Sequence, residues 1–254
     1  ATCGPLFRLR RASASGGKPP RAVASRRRGE LGSLAAPAQR TAECFSRAPH
    51  FYLQTEVDAR ALVALRERLR PGIEAATGVR LTLTDLLLRA QALALRDCPC
   101  ANAIWEDSQV VPVTGCDIGL VVGLDRGLVI PIVREADAGG LEALVRQRAS
   151  LVEAARAGQL TAEAMQGGAT SLSNLGKTSV DEFCAVIAPP QSSMLAVGRA
   201  APRPFVVEGQ LAVCTTLRLC LSVDHRVMDG GPAAQFLGRI VERIEHPTEL
   251  ASNP

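Results

Sequence analysis

The stretch Leu221-Ser222-Val223-Asp224-His225-Arg226-Val227-Met228-Asp229-Gly230-Gly231 carries the clearest chemical signal in the chain, and His225 is one of only three histidines in it. Histidine titrates nearest neutral pH, so an accessible imidazole suits a general base that takes a proton from a thiol or hydroxyl. Asp229 follows four residues later, and two glycines after it allow close backbone approach. A His-x-x-x-Asp pair alone more often serves structure than catalysis. Here the apolar, β-prone run Leu217 to Val223 precedes the histidine and a helix-like segment from Pro232 to Ile244 follows it. A strand-to-helix junction places His225 at a cleft rather than in a core.

Cysteine offers a second set of reactive groups, at positions 3, 44, 98, 100, 116, 184, 214 and 220. Only Cys98-Pro99-Cys100 are close together, and that spacing fits neither a zinc knuckle nor a Cys-x-x-Cys redox pair. Several of the others fall in apolar runs, where a free cysteine behaves as a small hydrophobe. Buried thiols in a reducing compartment, with no metal site, are expected.

The elements that must position these groups can be read from pattern and punctuation. Phe51 to Val57 reads as a strand. Asp58 can cap a helix reaching about Arg70, with Leu62, Leu65 and Leu69 on one face and Pro71-Gly72 ending it. Thr84 or Asp85 opens a second helix running to about Arg96. Residues 109 to 134 hold two or three strands, with Asp125-Arg126-Gly127 turning the last pair. Gly139-Gly140 precedes a long helix from Leu141 to about Ala157, and a short one follows near Thr161 to Met165. Further strands are expected around 169 to 174, 184 to 188, 193 to 198 and 212 to 223, with a closing helix over 232 to 244. Pro232 sits at a tolerated first-turn position. Helices and strands mix without strict alternation, so the fold class is α/β, a mixed sheet packed by helices.

The string around His225 resembles the His-Arg-Val-x-Asp-Gly signature of the acyltransferase components of 2-oxo acid dehydrogenase complexes, relatives of chloramphenicol acetyltransferase. Other segments carry the same resemblance in family order. They are Pro49-His50-Phe51-Tyr52-Leu53, Asn102-Ala103-Ile104-Trp105, Asp117-Ile118-Gly119-Leu120 through Gly127-Leu128-Val129-Ile130-Pro131-Ile132-Val133, and Met165-Gln166-Gly167-Gly168. Ser171-Leu172-Ser173-Asn174-Leu175-Gly176, Asp181-Glu182-Phe183 and Pro189-Pro190-Gln191 complete the set, which covers roughly residues 48 to 246. Ala188 stands where the family usually has Asn, and Gly231-Pro232 replaces the common Gly-Ala.

The resemblance implies a two-layer, chloramphenicol acetyltransferase-like domain forming trimers, with active sites between subunits, built into a larger core. It implies transfer of an acyl group between a dihydrolipoyl thiol and coenzyme A, with acetyl favoured by the likeness to pyruvate-type members. His225 would take the thiol proton, and Ser173, from a neighbouring subunit, would donate to the tetrahedral oxyanion. Asp229 would hold the architecture of the site rather than move protons. Ser171 shares a strand face with Ser173, so spacing alone leaves both open. Asn174 is expected to orient the following turn or make a local backbone contact, His50 to be a satisfied structural residue, and His246 to lie in solvent. No residue is assigned to the coenzyme A phosphates.

A lipoyl domain needs a lysine at a hairpin tip. The only lysines, Lys18 and Lys177, lack that setting, so the lipoyl group is expected from another domain or chain. Partners implied are the 2-oxo acid dehydrogenase and dihydrolipoamide dehydrogenase components and lipoyl domains. An alternative keeps the same core as a non-catalytic structural or tethering paralogue. An antibiotic-modifying acetyltransferase of the same fold is a third reading, disfavoured by the segments at 117 to 133 and 171 to 191.

Composition bounds the rest. Hydrophobic residues make up 47% of the 254 residues and aromatics only 3%, so a sizeable core must be built from aliphatic side chains. No apolar run reaches the roughly 20 residues of a membrane-spanning helix, so no membrane association is expected. Charge is uneven: residues 1 to 49 hold ten Lys or Arg against two Glu, amid many Ala, Ser, Gly and Pro. A basic leader over 1 to 47, acting as a linker or an organellar transit segment, is expected before a catalytic core over 48 to 254. Arg26-Arg27-Arg28 lacks interleaved aromatics, so specific nucleic-acid recognition is not supported. The lack of an initiator Met suggests a processed chain or a fragment. The mitochondrial matrix is the expected location, with plastid stroma or bacterial cytoplasm as alternatives.

Overall fold

The computed structural model describes residues 42 to 125 and 127 to 252. The leader expected over 1 to 47 lies outside the described residues up to position 41, as do Cys3, Lys18 and the arginine run at 26 to 28.

The first strand, β1 (His50–Asp58), runs into helix α1 (Arg60–Thr77), and α2 (Leu83–Asp97) follows after five residues. Two features of α1 correct the sequence-based expectation. Asp58 is the last residue of β1, where its carboxylate accepts the Arg60 N–H at 3.0 Å, and Ala59 occupies the capping position. The helix also passes through Pro71 and ends at Gly78, whose φ of 70° lets its N–H close on Glu74 O at 2.9 Å. A proline inside a helix costs about 3 kcal/mol. Here the extra turn brings Ile73 into the core beside Leu62 and Leu65, which offsets that cost. Helix α2 begins one or two residues earlier than Thr84 or Asp85 suggests. Thr82 caps it, and Asp85 closes a capping box by accepting from the Thr82 N–H at 2.8 Å.

The middle of the chain is cut more finely than expected. Strands β2 (Ala103–Glu106) and β3 (Gln109–Pro112) form a hairpin whose two turn residues, Asp107 and Ser108, have positive φ. Four short strands follow: β4 (Ile118–Leu120), β5 (Val122–Gly123), β6 (Leu128–Val129) and β7 (Ile132–Val133). Helix α3 (Leu141–Arg156) matches its expected span, and a single 3-10 turn, Glu163–Met165, replaces the short helix. Then come β8 (Thr170–Asn174), β9 (Ser193–Val197), β10 (Ala201–Val207), the long β11 (Gln210–Asp224) and helix α4 (Gly230–Glu245).

Seven strands form one mixed sheet in the order β1-β11-β9-β8-β4-β7, with β10 added beside the first half of β11. Strands β4, β8 and β9 are parallel, and the remaining pairs are antiparallel. The aliphatic face of the sheet, including Leu172, Leu195, Leu219, Leu221 and Val223, packs against Leu62, Leu86, Leu93, Phe236 and Ile240 of the helices. This is the expected two-layer arrangement of a mixed sheet with packed helices. Phe236 is fully buried at the centre of α4.

The opposite face of the sheet is small and polar where β8 and β11 run, with Ser171, Ser173, Cys220 and Ser222. Part of it is crossed by the segment 175 to 192, which contains the run expected as a strand at 184 to 188. That run forms no ladder. It lies over the sheet instead of beside it, tied by Ser222 Oγ donating to Ala185 O at 2.7 Å and Ile187 N–H donating to His50 Nε2 at 3.0 Å.

Candidate active site

His225 stands where β11 ends, and each neighbour in the string has a local task. Asp224 accepts backbone hydrogen bonds from Val227 and Met228, folding 224 to 228 into a tight turn. The His225 N–H donates to Pro49 O at 2.9 Å, which ties the turn to the chain entering β1. Met228 is buried and anchors the turn below. The Asp224 carboxylate, almost wholly buried, receives the Arg226 guanidinium at 2.7 Å and the Arg226 N–H at 3.0 Å. Arg226 in turn lies 5.1 Å from the Trp105 ring centroid, a cation–π contact that brings the β2–β3 hairpin against the turn. The salt link to Asp224 raises the pKa of the Arg226 guanidinium above its ordinary value.

The imidazole itself is open. His225 is about half exposed, its ring centroid 4.7 Å from that of Phe51. Asp229 Oδ1 lies 3.4 Å from His225 Nδ1, longer than an ordinary hydrogen bond. Asp229 is strongly exposed and caps α4 without a side-chain bond to the helix. With Nδ1 facing Asp229, Nε2 is the ring nitrogen turned away from that carboxylate and available for proton transfer.

Ser173 is held just as firmly, elsewhere. The Gln91 amide of α2 donates to Thr170 Oγ1 at 2.8 Å and to Ser171 O at 3.2 Å. Beyond Ser173, the Asn174 amide donates to Thr84 Oγ1 at 3.1 Å, and Asn174 Oδ1 accepts the Gly176 N–H at 2.7 Å. Asn174 therefore makes the local backbone contact, one of its two expected roles. Ser171 and Ser173 share the face of β8 turned from the helices, but they differ in partners. Ser171 Oγ donates to Gln191 Oε1 in a space that exists only because Gly119 has no side chain. Ser173 makes no side-chain hydrogen bond among the described residues and is almost fully buried.

The structure brings Asp229 to His225 but leaves Ser173 apart from both. Across the sheet Ser173 pairs with Ala196, and Ala196 with Cys220, five residues short of His225. At about 3.3 Å per residue and about 4.8 Å per strand, Ser173 and His225 of one chain are roughly 15–20 Å apart. Two surface hollows, about 350 and 450 Å³, both touch Asp97, Arg239 and Glu242; neither includes His225, Asp229 or Ser173.

The remaining candidates fall where their chemistry dictates. His50 donates from Nδ1 to Ala48 O at 2.6 Å and accepts at Nε2, a satisfied structural histidine. His246 is exposed. Cys98, Cys116, Cys214 and Cys220 are buried, whereas Cys100 and Cys184 are exposed. Burial pushes the Cys116 thiol up to about 12. Among the described residues no group of three or more His, Cys, Asp or Glu is arranged to hold a metal, and no helix is long and apolar enough to cross a membrane. Sequence reasoning missed the Trp105–Arg226 contact. The signal was a lone tryptophan in a short β-prone run, without a way to see its partner.

Comparison with known proteins identifies the family and the fold. The model of the 2-oxoacid dehydrogenases acyltransferase (catalytic domain) family matches residues 34–252. The chain is 36% identical over 210 residues to the dihydrolipoyllysine-residue acetyltransferase component of the pyruvate dehydrogenase complex of Zymomonas mobilis, covering 83% of this chain and 48% of that protein. It thus spans about half the length of the curated relatives it matches. A mitochondrial component of the same kind from Arabidopsis thaliana is 36% identical over 205 residues, covering 80% of this chain and 38% of that protein. Among solved structures, the Azotobacter vinelandii dihydrolipoamide acetyltransferase superposes with a TM-score of 0.80 at 29% identity, covering 93% of this chain and 99% of that one. Chloramphenicol acetyltransferase shares the fold, with a TM-score of 0.50 at 12% identity over 81% of this chain and 94% of that one. A family match across nearly all the described residues, together with a strand–turn–helix setting for the His225 string, places this chain in the 2-oxoacid dehydrogenase acyltransferase catalytic-domain family.

Proposed function

We propose that this chain is an acyltransferase core, residues 48 to 254, that moves an acetyl group between a dihydrolipoyl thiol and coenzyme A. The observation that carries this reading is the open imidazole of His225, with Nδ1 toward Asp229 and Nε2 turned away from it. Support comes from the Azotobacter vinelandii enzyme, studied for the role of a serine, a histidine and an asparagine in its catalytic mechanism. Its histidine follows its serine by fifty-two residues, and its asparagine follows by four more. Ser173, His225 and Asp229 repeat those intervals.

A thiol with an ordinary pKa near 8.5 is mostly protonated at neutral pH and needs a base. His225 Nε2 accepts the coenzyme A thiol proton as the sulfur attacks the acetyl-lipoyl carbonyl. The carbonyl oxygen becomes an oxyanion, to which Ser173 Oγ–H donates. Collapse breaks the carbon–sulfur bond to the lipoyl group, and the imidazolium returns its proton to the departing thiolate. No acyl-enzyme forms, so no cysteine acts as nucleophile. Asp229 orients the ring through Nδ1.

Because Ser173 lies far from His225 in its own chain, the serine that serves one imidazole belongs to a neighbouring copy. Trimers with shared sites, stacked into a larger core, satisfy this. A solved relative, 29% identical, is the cubic core of the pyruvate dehydrogenase multienzyme complex. The lipoyl group comes from another domain or chain, and the 2-oxo acid dehydrogenase and dihydrolipoamide dehydrogenase components are the partners. The mitochondrial matrix is the proposed location, the Arabidopsis relative being mitochondrial and those of Zymomonas and Azotobacter bacterial. Residues 1 to 47 form a leader to the core.

The deciding assay supplies the purified chain with acetyl-coenzyme A and free dihydrolipoamide and follows thioester formation. Activity is expected in the parent and a loss of about 10²- to 10⁴-fold in His225→Ala. Equal activity in the two would defeat the mechanism, and an inactive parent would favour a structural paralogue.

A further inference from the structure

Away from the His225 turn, two thiols meet on the polar face of the sheet. Cys220 lies in β11 and is almost wholly buried. Cys184 lies in the crossing segment 175 to 192 and is exposed. The Cys220 thiol donates to Cys184 Sγ at 3.3 Å, and the Gln54 amide donates to the same sulfur at 3.5 Å. Gln54 and Cys220 are direct cross-strand partners, so the sheet fixes two corners of this triangle. The cysteines are 36 residues apart in sequence, and the acyl-transfer chemistry uses neither.

We infer that Cys184 and Cys220 form a dithiol site that exchanges with small-molecule disulfides and closes into a reversible intrachain disulfide. The exposed sulfur reacts first. The Cys184 thiolate attacks one sulfur of the incoming disulfide; that S–S bond breaks, and one thiol leaves. Cys220 then gives its proton to the second outgoing thiolate as its sulfur attacks Cys184 Sγ. The two protein thiols lose two electrons and two protons, and the small disulfide gains them as two free thiols. Burial, then the hydrogen bond and charge of Cys184, push the Cys220 thiol up to about 12. Cys220 therefore keeps its proton until Cys184 has reacted, and it is the resolving residue rather than the first nucleophile. Its contact with Cys184 makes the second step intramolecular, so a mixed disulfide does not accumulate. Closure fastens the crossing segment to β11 and restricts the unfolded chain, which raises stability. The inference is independent of the acyl-transfer reading.

The test treats the whole chain with glutathione disulfide, blocks remaining thiols, and maps peptides by mass. A Cys184–Cys220 cross-linked pair, reversed by dithiothreitol and accompanied by a melting temperature several degrees higher, is expected. Cys220→Ala should instead stop at a glutathione adduct on Cys184. Cys184→Ser, altered on the exposed side, should show neither product at position 220. A parent protein in which Cys184 stays unmodified, ends as a stable glutathione adduct, or pairs with another cysteine would overturn the inference.

Discussion

Ser173 lies in β8 and His225 just past the end of β11, with β9 between the two strands and five residues of β11 between their levels. This separation makes the proposed site, shared between neighbouring copies, testable by complementation. Ser173→Ala and His225→Ala should each be inactive alone. Unfolded together and refolded as mixed trimers, they should regain about a quarter of parental activity, because a neighbouring pair then combines one intact histidine with one intact serine. A mixture as inactive as its components would show that the site lies within one chain.

The two serines of β8 should separate cleanly. Ser173→Ala removes the hydroxyl proposed for the oxyanion and should lower kcat by about 10²- to 10³-fold with little change in KM. Ser171→Ala removes a hydroxyl already committed to Gln191, so its cost should appear as lost stability, about 1–3 kcal/mol for the orphaned amide. Urea unfolding and steady-state kinetics on both variants check the distinction.

Asp229→Asn should be mild. The carboxylate is exposed and 3.4 Å from the ring, and the Azotobacter vinelandii enzyme has asparagine at the matching interval. Activity within about tenfold of the parent is expected, since an amide retains an acceptor oxygen for Nδ1. A loss as large as that of His225→Ala would give Asp229 a part in proton transfer.

What the sequence disclosed follows from how local each signal is. The turn at 224 to 228 was legible because strand, histidine and helix are contiguous, and α3 because one periodic face runs its full length. Strand β10 was hidden by Pro202 and Pro204, which argue against a strand. It exists because it is an edge strand, paired only to β11 through residues on one side. Pro71 misled in the other direction, since the burial of Ile73 that carries α1 past it is tertiary. The run at 184 to 188 has the composition of a strand but lies across a sheet face, a placement no pattern encodes. The separation of Ser173 from His225 depends on strand order, which was equally out of reach.

Removing Arg226 should destabilise the turn more than its exposure suggests. Its guanidinium is the partner of the buried Asp224 carboxylate and also faces Trp105. Arg226→Ala leaves that carboxylate buried with only the residue 226 N–H and should cost about 3–5 kcal/mol. Arg226→Lys restores charge without the planar fork and should recover only part of the loss. The urea midpoints of the three proteins rank these outcomes.

A last prediction concerns acid. Asp181 accepts from Arg199 at 2.6 Å and from Arg203 at 2.6 Å, and these guanidinium bonds hold its carboxyl at about 2, below the ordinary 3.8. A carboxyl depressed in the folded state stabilises it at every pH above the unfolded value. That stabilisation fades as pH falls from about 4 toward about 2, where the folded form also takes up its proton. Asp181→Asn should therefore melt below the parent at neutral pH, by a small margin because the group is exposed to solvent screening. The two melting curves should converge as the pH is lowered through that window. A gap that stayed constant down to pH 2 would assign the loss to packing of the crossing segment rather than to the charge of Asp181.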